Sequence, residues 1–354
     1  MTPRSASART FVLLAIVLDI PLLARIVRAL TPEPRVETLV IDGVPTELVL
    51  PARGGAWPAF HFVNGAHPER RREPIVQRVT HGLARAGFVV ALPDLPGLGE
   101  GELGPRTVDA ARSVTHALAA RPEVREGAVA LAGASAGAGI ALVIAADPEL
   151  APRISVVAAV VPFADIERLT CLSTTSYYER NGAVRRYEVT ALMRRVVARS
   201  LVTALPAGDD RDALLELLRS QDPDDVDAVR CLSAPGRELG AEARAVVDLL
   251  LNEDHARFPE LFGALPQDIV ARLRAMSPAV HASAVRARVE GIAPPDDPYF
   301  PLPEAEAVLA LVPDARLTVT RVLDHTRPSL SLSRIGDFAR FLGWVRRCLG
   351  AAAA

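Results

Sequence analysis

The sequence predicts an α/β fold, a mostly parallel sheet flanked by helices and interrupted by a helical insertion. From Arg35 onward, short β-like runs alternate with helical runs, the pattern of a sheet covered on both faces. Three of the runs, Phe88–Leu92, Ala128–Ala132 and Ile154–Val161, are almost continuously apolar, as strands buried on both faces should be. One of them passes directly through Gly133-Ala134-Ser135-Ala136-Gly137 into a helical stretch, so strand, glycine turn and helix follow one another without a break.

A chain of 354 residues, half of them apolar, has the length of two domains or of one large α/β domain with an insertion. Residues 1–34 stand apart as an apolar segment. Arg4 and Arg9 precede the run Phe11–Leu18, Asp19 and Pro21 interrupt it, and Arg25 and Arg28 break the stretch that follows. A bilayer span needs about 20 largely uncharged residues, and this segment falls short. No clean small-x-small cleavage site follows it. The expectation is a helix that packs on the protein or lies at a membrane surface through residues 10–30. An uncleaved anchor and an export signal stay open, and with them a cytoplasmic, membrane-associated or exported location.

The core is expected over 35–162 and 277–350. Val36–Ile41 and Thr46–Leu50, joined at Asp42-Gly43, read as a hairpin at one sheet edge. Strands follow at Ala59–Val63 and at the three apolar runs, with crossover helices at Pro74–Ala86, Val108–Ala120 and Ser135–Ala146. Residues 163–276 carry no convincing strand, only Leu, Val and Ala at helical spacing with turn-rich breaks at Pro206–Asp210 and Ser233–Gly240, and read as a helical cap. Strands resume at Val285–Ile292 and Arg316–Val322 around a helix at Pro303–Leu311, and a last helix spans Ser333–Leu349.

Composition excludes several chemistries. All 40 basic residues are Arg, which removes Schiff-base lysines and the lysine of a phosphate-binding P-loop. A net charge of −2 names no nucleic-acid partner. Cys171, Cys231 and Cys348 form no close pair, no HExxH or His/Cys cluster points to a metal, and no dinucleotide fingerprint follows a strand. Neither cofactor nor metal is expected.

The G-x-S-x-G junction carries the chemistry. A serine at the tip of a strained strand-to-helix turn is exposed above the sheet, and flanking glycines let neighbouring backbone pass close by. The helix amino terminus beyond Ser135 favours developing negative charge. On Gly133-Ala134-Ser135-Ala136-Gly137 and its context the chain resembles the α/β-hydrolase family over about Val36–Leu349 apart from the cap. The resemblance implies an oxyanion hole made by the N–H of Ala136 and that of Ala66, in the loop Asn64-Gly65-Ala66-His67. Many relatives have His-Gly where this chain has Asn64-Gly65, so the match there is one of position.

A serine hydroxyl needs an imidazole base, and the imidazole needs a carboxylate. His325 follows a strand and every acid candidate, which satisfies the family order Ser, acid, His. His67 adjoins the oxyanion loop and is its rival, while His61, His81, His116, His255 and His281 read as structural or surface residues. The resemblance places the acid four residues ahead of a proline, which selects Asp297 over Asp296, with Asp165 as the alternative and Asp324 as a turn residue. Tyr177, Tyr178 and Tyr187 are candidates either to line an entrance over Ser135 or to close the cap's own core. The resemblance implies that Gly97-Leu98-Gly99-Glu100-Gly101 is a loop near the active-site rim.

The expected function is cleavage of a carboxylic ester or related acyl bond of a small, apolar substrate through an acyl-serine, with Ser135, His325 and Asp297 as triad. Acyl transfer, thioester hydrolysis and peptide cleavage share that constellation. A non-catalytic, membrane-associated scaffold on the same fold is the alternative from another class.

Overall fold

The computed structural model describes residues 5–234, 236, 238–328 and 335–354. Two helices open it, α1 (Ala6–Val17) and α2 (Pro21–Leu30), where one was expected. Asp19 sits at φ 46° between them, and Pro21 starts the second helix. The hairpin β1 (Arg35–Ile41) and β2 (Val44–Leu50) turns on Asp42 and Gly43 at φ 47° and 80°, the pair of positive angles that a two-residue type I′ turn requires. Then follow β3 (Trp57–Val63), α3 (Pro74–Arg85), β4 (Val89–Pro93), α4 (Pro105–Ala119), β5 (Val124–Ala134), α5 (Ala136–Ala145) and β6 (Ile154–Val160).

Between β6 and the next sheet strand lies the insertion. It holds α6 (Ile166–Thr175), β7 (Tyr177–Arg180), β8 (Ala183–Arg186), α7 (Ala191–Thr203), α8 (Asp209–Arg219), α9 (Ala241–Leu250), α10 (Phe258–Gly263), α11 (Gln267–Ala275) and the short α12 (Pro278–His281). The antiparallel β7–β8 hairpin corrects the reading of this stretch as strandless. Its turn is Asn181-Gly182 at φ 53° and 75°, a strong hairpin signal masked by the surrounding charges. The chain closes with β9 (Arg288–Ala293), α13 (Leu302–Ala310), β10 (Ala315–Val319), the two-residue strands β11 (Leu323–Asp324) and β12 (Arg327–Pro328), and α14 (Ile335–Ala353). Residues 329–334, where the last helix was expected to begin, lie outside the described residues.

Eight strands form the main sheet in the order β1-β2-β4-β3-β5-β6-β9-β10. Only the β1–β2 and β2–β4 pairs are antiparallel. Alternation along each strand feeds two cores. Val89, Ala91, Val129, Leu131 and Val157 point to the layer of α4 and α5. Phe60, Phe62, Val90, Ala130 and Val156 point to the layer of α3 and α14.

The apolar segment near the amino terminus belongs to this second layer. Residues Val12 to Val17 of α1 are all buried, lodged between α3 and α14. The fit at α3 depends on a glycine, because a Cβ on Gly82 would come within 2.9 Å of Leu13 Cδ1. Among the described residues no helix is long and apolar enough to cross a membrane.

Candidate active site

The site is built at the carboxyl ends of the central strands, where open α/β sheets place their ligands. Ser135 ends the run of β5 and caps α5, at φ 55° and ψ −123°. This conformation is sparsely populated for a residue with a Cβ, and the turn is held in it by its neighbours. Ser135 N–H donates to Val160 O at 2.9 Å, and Ala138 N–H returns to Ser135 O at 2.9 Å. Both flanking glycines are sterically required. A Cβ on Gly137 would lie 2.1 Å from Val63 O and 2.4 Å from Asn64 O, and one on Gly133 would lie 2.4 Å from Gly137 O.

The loop after β3 leans on this turn, since a Cβ on Gly65 would meet Ala134 O at 3.1 Å and Ser135 Cβ at 3.4 Å. Asn64 fixes the loop with both ends of its buried amide. Its Nδ2 donates to Arg70 O at 2.8 Å, and its Oδ1 accepts the Gly65 N–H at 2.9 Å. The Gly65 N–H is therefore engaged within the loop. Asn64 at the position where many relatives carry His thus has a local structural reason: it shapes the turn that presents Ala66. Ala66, Ala136 and Ser135 line one cavity.

His325 lines the same cavity, on the turn between β11 and β12, at φ 52°. Its Nδ1 lies 2.9 Å from Asp297 Oδ2 and 3.1 Å from Oδ1. An ionised carboxylate only accepts, so Nδ1 carries the proton and Nε2 is left with its lone pair. Asp297 sits on the loop after β9 with its side chain fully buried. Its Oδ1 also accepts the N–H groups of Tyr299 at 2.8 Å and Phe300 at 2.9 Å, so one carboxylate organises its loop and holds the imidazole. The rings of Tyr299 and Phe300 flank His325 at 4.4 and 6.0 Å between centroids. Tyr187, from the insertion, donates its hydroxyl to the backbone carbonyl of Asp297. Burial, with the Asp297 charge nearby, pushes the Tyr187 phenol up, so it stays a neutral donor.

The other candidates are occupied elsewhere. Asp165 caps α6, accepting the Glu167 N–H at 2.6 Å. Asp296 is exposed. His67 lines the cavity with its Nδ1 accepting the Glu69 N–H at 3.3 Å, and Glu73 stands 4.0 Å away. His61 is buried in β3, its Nδ1 2.9 Å from Thr115 Oγ1. His81 faces Glu33, His116 faces Glu149, His255 packs on Tyr177, and His281 meets Ala275 O.

The cavity holds about 500 Å³. Its roof is α7, whose Leu192, Met193, Val196, Val197, Ser200 and Leu201 recur at helical spacing on one face. Sequence reading missed this stripe and looked to the tyrosines instead. None of the three lines the cavity: Tyr177 packs on His255, while Tyr178 and Tyr187 meet edge to face at 5.9 Å. The glycine-rich loop after β4 holds the roof in place. Glu100 O accepts from Arg199 at 2.6 Å, and Leu103 N–H donates to Ser200 Oγ at 2.8 Å.

A search of curated proteins found no match to this chain. Among solved structures, 2,6-dihydroxy-pseudo-oxynicotine hydrolase superposes with a TM-score of 0.52 at 16% identity, over 93% of this chain and 73% of that one. Dipeptidyl peptidase 4 of Porphyromonas gingivalis gives 0.51 at 12% identity, over 92% of this chain and 37% of that one. At such identities the likeness is one of fold, that of the α/β hydrolases, and this chain spans little more than a third of the second protein. The sequence profile of the X-Pro dipeptidyl-peptidase (S15) family matches residues 42–249, from the first hairpin through the Ser135 turn and into α9. With more than half of its length inside that match, the chain belongs to the S15 peptidase family of α/β-fold hydrolases.

Proposed function

We propose that this protein is a serine hydrolase that cleaves a carboxylic ester or related acyl bond through an acyl-serine. The observation that carries the reading is the His325 ring, bonded through Nδ1 to a buried Asp297 and opening on the cavity that holds Ser135 at its strained turn. Ser135 Oγ attacks the acyl carbon while His325 Nε2 takes the hydroxyl proton, and Asp297 stabilises the imidazolium. The carbonyl oxygen, now an oxyanion, is held by the N–H groups of Ala66 and Ala136, the latter at the positive end of α5. His325 returns the proton to the leaving group as the acyl–oxygen bond breaks. Water, deprotonated by the same Nε2, then releases the acid and restores the serine. The apolar face of α7 favours an apolar acyl group and excludes water from the acyl-enzyme.

Family membership favours a second reading on the same residues, cleavage of a peptide after an X-Pro pair, with an amine as leaving group. Fluorophosphonate labelling followed by peptide mass spectrometry tests the serine, with label expected on Ser135 and lost in Ser135→Ala. Rates on p-nitrophenyl esters of graded chain length against X-Pro p-nitroanilides separate the two substrates. A folded chain that takes no label refutes both readings and favours a non-catalytic scaffold.

A further inference from the structure

The apolar run of α1 is spent inside the protein, but α2 turns an apolar stripe outward. Ala24 and Val27 face the body and are buried, whereas Leu22, Ile26 and Leu30 are 68%, 42% and 66% exposed at i, i+4 and i+8. A surface helix normally puts polar residues there. Beside it runs an apolar groove of about 450 Å³ between α1, α2 and α14, lined by Phe11, Leu18, Leu23 and Leu342. Of the thirteen exposed large apolar side chains among the described residues, six (Phe11, Leu22, Ile26, Leu30, Ile335 and Leu342) belong to these three helices.

Cations border the stripe. Arg25 and Arg28 are exposed on α2, and Arg346 stands at the groove. The acid here, Asp19, is paired with Arg28 at 3.0 Å. On α2 and the turn before it the charges are Arg25, Arg28 and Asp19, a net +1, with Arg346 adding a further cation at the groove. We infer that α2 and the adjoining groove form an interfacial docking surface for an anionic lipid bilayer, with the helix lying in the plane of the headgroups. Apolar side chains flanked by arginines suit that boundary. A second copy is the other occupant an apolar stripe could take, and the test below separates it from a bilayer.

The test is sedimentation of the full chain with vesicles of equal parts phosphatidylglycerol and phosphatidylcholine, against phosphatidylcholine alone. Recovery with the anionic vesicles, released by added salt, is expected. L22E/I26E should weaken that partition roughly tenfold or more. R25E/R28E, which leaves every apolar contact in place, should weaken it by a similar factor for anionic vesicles. L22E/I26E should melt with the parent protein, and R25E/R28E, which sets a second carboxylate beside Asp19, should melt no more than a few degrees below it. No recovery with either vesicle, or recovery unchanged in both variants, overturns the proposal. So does a dimer in analytical ultracentrifugation that L22E/I26E dissociates while vesicle binding is absent.

Discussion

Asp297 performs two tasks that substitution can separate. Its Oδ1 accepts the backbone N–H groups of Tyr299 and Phe300, and both of its oxygens face His325 Nδ1. In Asp297→Asn the amide oxygen can still accept both backbone bonds, so the loop keeps its shape. The amide NH₂ then faces His325 Nδ1 and donates to it, which moves the ring proton to Nε2 and removes the base. A tautomer reversal of this kind costs a serine hydrolase about ten-thousandfold in turnover, or about 5 kcal/mol of barrier at 1.36 kcal/mol per tenfold. Asp297→Ala should be equally inactive but also orphans two buried donors at about 1 to 3 kcal/mol each, so it should lose about 2 to 6 kcal/mol of stability. The assays are the rate of fluorophosphonate labelling and the urea midpoint of each variant. Asp297→Asn that labels within tenfold of the parent, or that unfolds as early as Asp297→Ala, would refute the reasoning.

Other consequences can be measured alongside. Ser135→Ala keeps the turn's positive φ and should match the parent in stability without labelling. Ser135→Gly relieves the strain and should raise the urea-derived stability by about 1 to 3 kcal/mol. Gly137→Ala drives a methyl into Val63 O and Asn64 O, displacing the loop that carries Ala66, and should cost about 2 kcal/mol or more together with most of the activity. Burial lowers His61 from 6.5 to about 3, so the folded state holds it neutral while the unfolded chain protonates below pH 6.5. Its contribution is complete above pH 6.5 and is lost as pH falls, about 2 kcal/mol by about pH 5. His61→Leu should remove that share of the acid sensitivity in denaturant titrations; an unchanged pH slope would disprove it.

Most of the sheet was legible because its strands are buried on both faces and its turns use residues with one conformational purpose. Asp42-Gly43 announced the first hairpin through its positive backbone angles, and Gly133 and Gly137 announced the turn at Ser135, where neither position has room for a side chain. The pairing of His325 with Asp297 followed from chain order and resemblance, and in the fold the two are in hydrogen-bond contact. What escaped was set by tertiary contact. The stripe on α7 becomes a cavity wall only because Arg199 and Ser200 bind the loop after β4, a partner about a hundred residues away that no local period encodes. The β7–β8 hairpin was legible in Asn181-Gly182, but its strands are short and charged, and β8 is exposed along its whole length. At the amino terminus the break at Asp19 and Pro21 was visible, while the burial of Val12–Val17 depended on a groove completed by α14.

That last dependence bears on how the chain is made. The groove for α1 has one wall, α3, close in sequence, and another, α14, that begins 318 residues after α1 ends. At roughly 5 to 20 residues per second, translation leaves the stripe from Val12 to Val17 waiting for tens of seconds before its second wall exists. The nascent chain must shelter its first helix until its last one arrives, so damage to α14 would be felt first as exposure of α1.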